Sequence, residues 1–256
     1  MDVATSAGVG GAFVVIITAN VLEGGNPMSM LLLPPLLLVF GATICVSMAG
    51  GTMDDFKSSL SALGRAFTGS VPSSGDVVPQ VVTLAEKARR EGLLALEDSV
   101  KRLDDEFLAK GVTMAIDGTD PEEVREILEA EVMAKKRADK QAAKFFADAG
   151  AYAPTIGIIG TVMGLVHVLE NLAQPEELGH LIAAAFLATL WGVLSANVMW
   201  LPIASRLKRL SELEAARMEV VIEGVAAIQA GANPRIISQK LTSLLPSSQQ
   251  PAPEAA

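Results

Sequence analysis

The stretch AGAYAPTIGIIGTVMGLVHVL, residues 149–169, is long and apolar enough to lie in a membrane. It nevertheless interrupts its bulk with Pro154, Gly157, Gly160, Thr161 and Gly164. At 100° per residue those small side chains and Val168 fall within about 60° of one another, with Pro154 at the edge of the stripe. Residues 178–205 repeat the pattern, with Ala185, Ala188, Thr189, Gly192 and Ala196 on one face and Ser195 beside it. Gly160 and Gly164 form a GxxxG, which lets helix backbones approach closely in lipid. A threonine in such a helix bonds its own backbone four residues back, or offers its oxygen to a neighbour or an ion.

The rest of the chain supports a membrane setting. Its 256 residues are 50% hydrophobic with a net charge of −9, and its mean hydropathy of +0.41 is high for a soluble domain. Crossing about 30 Å of hydrocarbon takes about 20 helical residues. Four uncharged runs meet that length, at 3–22, 24–53, 149–169 and 178–205. The first has no Lys or Arg before Lys57, so it lacks the basic start of a signal peptide and reads as a retained helix. Pro34 and Pro35 predict a kink or break in the second.

Charge sets the orientation. Of the 20 basic residues, 14 lie between Lys57 and Lys144 and 6 between Arg206 and Lys240. The positive-inside rule therefore places the middle segment and the C-terminal end in the cytoplasm. The expected fold class is an all-α membrane protein, with four transmembrane helices in two hairpins and a large helical cytoplasmic domain between the second and third. The spans are predicted at 3–22, 29–49, 149–170 and 179–203. A cytoplasmic helical domain covers 50–148, a cytoplasmic C-terminal helix 204–241 and a disordered, proline-rich tail 242–256.

Within the middle segment, Val78, Val81, Val82, Ala85 and Ala88, and then Leu96, Val100, Leu103 and Phe107, recur at helical spacing. Asp120 is a natural N-cap before Pro121, Glu122 and Glu123. From there Val124, Ile127, Leu128, Glu131 and Val132 carry a long helix towards the third span. SVPSSGDVVP, 70–79, reads as a loop.

Several functions are disfavoured. No P-loop, nucleophile elbow or basic nucleic-acid surface is present, so neither an enzyme nor a nucleic-acid binder is expected. His167 and His180 lack ligands at metal spacing. The single Cys45 has no partner in the chain and reads as a buried thiol. No span carries an Asp, Glu, Lys or Arg near mid-bilayer, although an ion relay needs an ionisable group there. Any conduction would take its carboxylate from another protein.

APTIGIIGTVMGLV (153–166), AAAFLATLWGVLSANVMWLPIASRL (183–207), EGVAAIQAGANPR (223–235) and ARREGLLALED (88–98) together resemble the MotA family of flagellar stator subunits, PomA-type relatives included. The resemblance implies a homo-oligomer of five subunits ringing the membrane helices of MotB, a single-span, peptidoglycan-binding partner whose aspartate takes up the ion. It also implies torque delivered to the rotor protein FliG, in the bacterial inner membrane with its lipid. Pro154 and Pro202 match the family prolines that couple ion movement to conformational change. Thr161 and Thr189 match hydroxyl positions on the ion path. Ala188 stands where sodium-driven relatives carry a further threonine, and one oxygen fewer for a hard cation favours H+ over Na+. Arg89, Arg90 and Glu97 match charged positions used against the rotor; without the resemblance they are a solvated helix face. Gly157, Gly160, Gly164 and Gly192 are expected to serve close helix packing, with the stripe of Gly157, Thr161 and Gly164 facing the partner's helix. Ala151 replaces an acid many relatives carry, and Asp148 is the nearest substitute. An energiser of the ExbB or TolQ kind, with three spans and an external N-terminus, and a non-conducting scaffold are the competing readings.

Overall fold

The computed structural model describes residues 4–246 and 249–250, and among them every regular element is helical. In chain order these are α1 (Ala4–Leu22), α2 (Leu33–Ala49), α3 (Met53–Thr68), α4 (Val77–Glu91), α5 (Glu97–Val100), α6 (Glu106–Ile116), α7 (Pro121–Glu170), α8 (Pro175–Gln229) and α9 (Pro234–Leu244). Short 3-10 turns at Pro27–Met30, Ser74–Asp76 and Leu93–Leu96 lie between them.

Pro34 and Pro35 start α2 rather than bend it. Leu33 is the first helical residue, so both prolines fall in the first turn, where backbone N–H groups have no intrahelical acceptor to lose. The span predicted over 29–49 is accordingly a helix only from residue 33, and its winding widens to a π turn over Leu37–Gly41. α1 and the apolar parts of α7 and α8 are long enough to cross a membrane, and α2 is apolar but shorter.

The predicted cap at Asp120 is present: its Oδ1 accepts the Glu122 amide at 2.9 Å. The helix it starts continues for 50 residues to Glu170, through Pro154, and takes in the predicted third span. Likewise α8 does not stop at residue 203. It runs on to Gln229, with five residues of π winding at Ala196–Trp200. The C-terminal helix predicted over 204–241 is therefore two pieces. The break comes at Gly231, whose φ of 59° belongs to glycine, and Asn233 then caps α9. Residues 242–244 of the predicted tail are helical. Residues 247–248 and 251–256 of that tail, and Val3 of the predicted first span, lie outside the described residues.

Contacts divide the chain into two units. The first comprises residues 1–70 and 139–209, and the second 71–138 and 210–256. In the first, Ala66, Ala143, Phe146, Ile203, Ala204 and Leu207 form a small buried cluster. Arg65 pairs with Asp139 at 2.7 Å beside it. No residue of α1 is buried, and Cys45 is exposed on α2, contrary to the expectation of a buried thiol. A lipid-facing side has no need of polar side chains, so an apolar run alone does not tell which of its residues face the protein.

The second unit has a hydrophobic core of its own. Val77, Val81, Leu96, Leu108, Val112, Leu128, Ile228, Ile237 and Leu241 are each 1–2% exposed or less. The predicted stripe of α7 is buried at Val124, Leu128 and Val132, whereas Ile127 is exposed and Glu131 half-buried. Glu131 instead bonds Lys110 of α6. Arg217 donates to Asp105 at 2.7 Å and to the Ser73 carbonyl at 2.9 Å, tying α8 to two loops. Gln249 accepts the Ser74 amide at 3.1 Å, so this part of the tail returns to the start of α4.

Candidate functional site: the α7–α8 contact and the charged corner

The two small-residue faces predicted from sequence meet each other. A Cβ built on Gly157 would lie 2.8 Å from the Ala188 carbonyl oxygen and 3.1 Å from the Thr189 Cα. One on Gly160 or Gly164 would strike the Cβ of Ala188 or Ala185 at 2.6 Å. One on Gly192 would lie 2.6 Å from the Ala153 oxygen. All four glycines thus lie where α7 and α8 approach closely. The stripe of Gly157, Thr161 and Gly164 packs on α8, with Thr161 and Gly164 half-buried. Two complementary small faces on consecutive antiparallel helices satisfy each other first, because that contact needs no assembly.

Both threonines sit in this contact, half-buried. The Thr161 hydroxyl bonds the Ala185 carbonyl oxygen at 2.9 Å, with Gly157 O at 3.2 Å, and also touches the Thr189 hydroxyl. Thr189 in turn lies 3.3 Å from Gly157 O. Each hydroxyl owns one proton, so two protons serve three acceptor directions, and the pair can exchange donors without moving a backbone atom. A glycine at 157 leaves its carbonyl open to α8, which is why the hydroxyls converge there.

Pro154 lies inside α7, half-buried, where its missing N–H leaves the Gly150 carbonyl without its usual partner. A Cβ on Gly150 would meet Leu201 at 2.5 Å, so α7 and α8 stay close at this level too. Pro202 follows the π turn at Ala196–Trp200. A π turn shifts the hydrogen-bond register, and a proline just beyond it sits where the ladder is already interrupted. Ala188 is 2% exposed and packs against Gly157 and Gly160.

Sequence reasoning missed two features here. Neither π turn has a composition signal. Nor does the line of rings running Trp191, Phe40, Trp200, Phe146, Phe145, Phe56, with centroids 6.1, 6.2, 6.4, 5.4 and 5.3 Å apart. It uses both tryptophans and joins four helices, and each neighbouring pair falls within the range of favourable aromatic contact. Trp191 also donates its indole N–H to the Met30 carbonyl at 2.7 Å, which fixes the turn before α2.

The charged residues lie in the second unit. Arg89 and Arg90 are exposed in the last turn of α4, which Gly92 ends with a φ of 86°. The 3-10 turn Leu93–Leu96 follows, anchored by fully buried Leu96, and Glu97 then opens α5. All three charges thus project from one corner, with Leu94 exposed between them and Glu97 3.8 Å from Lys101. Asp148, the substitute acid, is held by Lys144 at 2.5 Å, and Ala151 is exposed.

Long apolar helices, close contact through glycine and hydroxyls set inside that contact are the marks of a helical membrane protein. The family model described as the MotA/TolQ/ExbB proton channel family matches residues 99–220. Motility protein A of Bacillus subtilis (strain 168) is 37% identical over 247 residues, which cover 96% of this chain and 92% of that protein. Two solved structures are similar over 96% of this chain and 97% of theirs: C. jejuni MotAB, at a TM-score of 0.92 and 31% identity, and the flagellar MotAB stator complex from Bacillus subtilis, at 0.89 and 36%. The chain belongs to the MotA/TolQ/ExbB proton channel family, on the side of its motility proteins.

Proposed function

We propose that this chain is the ring-forming subunit of a flagellar stator, which with a MotB-like single-span partner conducts an ion and turns its flow into torque. The observation that carries this reading is the convergence of Thr161 and Thr189 on Gly157 O. A pair of hydroxyls able to swap donors, half-exposed on apolar helices, suits a wall past which an ion moves. Similarity across the whole chain to two MotAB structures supports the partnership.

In this reading α1, α2 and the apolar parts of α7 and α8 are the four spans, in the inner membrane, with both termini cytoplasmic. Five copies surround the partner, which supplies the aspartate that the spans of this chain lack. Pro154 and Pro202 are the points where helix ladders are weakened, so the wall bends there as the aspartate is loaded and discharged. Arg89, Arg90 and Glu97 meet the rotor protein FliG. Exposed ion pairs stabilise by only about 0–1 kcal/mol each, so such a contact can be broken and remade at every step.

The ion is a proton. Ala188 contributes no oxygen beside Thr189, and a sodium ion needs several oxygen ligands. The test is swimming of cells that depend on this stator, with and without sodium and with a protonophore. Speed that falls with the protonophore and ignores sodium supports the proposal. Speed that tracks sodium replaces the proton by sodium, and no motility under either condition favours the scaffold reading.

A further inference from the structure

No residue of α1 is buried, although its length and composition suit a membrane span. Between its first half and α8 runs an open groove of about 440 Å³, lined by Gly8, Val9 and Ala12 on one side and by Val198, Pro202 and Arg206 on the other. Both walls belong to the first unit. The α1 wall is low because its side chains are small, and a Cβ built on Gly8 would meet nothing within 4 Å. Asn197 also reaches the groove, but its amide donates to the Val193 carbonyl of its own helix at 2.8 Å.

The groove is mostly apolar along its length and basic at one end. Arg206 is the first basic residue after Lys144, and Arg209 follows it. From Leu201 onward α8 is regular, so at 100° per residue Pro202, Arg206 and Arg209 fall within about 60° of one another, spread over about 10 Å of the helix axis. Arg206 is half-buried and gives one N–H to the Gly69 carbonyl at 3.1 Å, and Arg209 is exposed. A guanidinium carries five N–H donors in a planar fork that matches a phosphate. An apolar slot that leads to two guanidinium groups has the layout of a phospholipid, hydrocarbon first and phosphate last. Basic pockets between helices on the cytoplasmic side of a membrane take anionic head groups.

We propose that this groove binds one anionic phospholipid, with an acyl chain between α1 and α8 and the phosphate against Arg206 and Arg209. The acyl chain fills the space that small side chains leave beside Gly8 and holds α1 against the π turn of α8. Head-group choice follows from charge: a zwitterionic lipid brings its own cation to the two arginines, whereas phosphatidylglycerol brings only the phosphate. The proposal rests on the stator reading for the orientation of the spans alone. It needs neither ion flow nor a rotor, so a complex that holds the lipid and conducts no ion would sink that reading and leave this one standing.

The test is native mass spectrometry of the full chain in its complex, taken from vesicles of equal phosphatidylglycerol and phosphatidylethanolamine, for the natural sequence, Gly8→Leu, Gly10→Leu and Arg209→Gln. Gly8 and Gly10 both have open space where a Cβ would stand, so neither leucine is forced into a neighbour. Gly8 lines the groove, and Gly10 stands about 200° further round the helix. The natural complex and Gly10→Leu should retain phosphatidylglycerol, and Gly8→Leu should lose it. Arg209→Gln should keep a lipid while its preference for phosphatidylglycerol falls about fivefold, the worth of one basic residue at an anionic surface. Retention by Gly8→Leu equal to that of the natural complex overturns the proposal, as does equal retention of the two lipids by the natural complex. A benzophenone side chain placed at residue 12 should attach to lipid on illumination. Its cross-linking to another copy instead would give the groove to a second subunit and overturn the proposal too.

Discussion

The backbones of Gly157 and Gly192 touch: a methyl built on Gly192 would stand 3.0 Å from the Gly157 Cα and 2.6 Å from the Ala153 oxygen. Nothing in that contact is a flexible side-chain end, so it cannot yield without separating the two helices. Gly192→Ala is expected to destabilise the first unit by about 1–3 kcal/mol, the usual cost of overpacking. Gly8→Ala, where nothing lies within 4 Å, should leave stability unchanged. Thermal unfolding in detergent, read through Trp191 and Trp200, distinguishes them; equal effects would mean that the close approach is not what holds the helices.

The hydroxyl pair separates packing from conduction. Thr161→Val keeps the shape of the side chain and removes the oxygen that meets Ala185 and Thr189. It should abolish most ion flux in vesicles holding the complex while the protein still folds, and Thr161→Ser should restore much of it. Flux unaffected by Thr161→Val would remove these oxygens from the ion path.

Asp105 acts twice, as N-cap of α6 through the Leu108 amide at 3.0 Å and as partner of Arg217. Asparagine can still cap, whereas alanine can do neither. Asp105→Ala is therefore expected to cost about 1 kcal/mol more than Asp105→Asn, the worth of a typical cap. Chemical denaturation followed by the loss of helical circular dichroism would show the difference; a tie would mean that the cap contributes nothing.

Lys240 and Arg125 hold the Glu223 carboxyl below its ordinary value of 4.5, against the opposing effect of burial. A carboxyl whose pKa is lower folded than unfolded stabilises above its unfolded value, and that stability is lost as pH falls through the folded one. Since Lys240 bonds Glu223 at 2.6 Å, α9 should loosen first below about pH 4.5. Hydrogen exchange in residues 234–244 should rise as pH falls through this range, after correction for its intrinsic pH dependence. Glu223→Gln should make that dependence flat.

Charge reversal at the exposed corner tests its role. Arg90→Glu should slow or stop swimming without changing ion flux or stability, because Arg90 is exposed. A loss of stability would instead give Arg90 a part in the fold.

The sequence by itself determined the helical class, the apolar runs, the cap at Asp120 and the small faces of α7 and α8. These are local properties, carried by period, composition and cap chemistry within a few residues. It read Pro34 and Pro35 as a break because it could not tell where the helix begins, and a proline's effect depends on whether it falls in the first turn. Only the tertiary structure decided that the two small faces meet each other, since complementarity between segments some thirty residues apart is invisible to a one-dimensional pattern. It also placed Cys45 on an exposed side, lined up the rings from Trp191 to Phe56 and left the Ser47 hydroxyl buried without a hydrogen-bond partner among the described residues. Each of these depends on which faces of different helices come together, and in an apolar helix the residue type does not reveal its face.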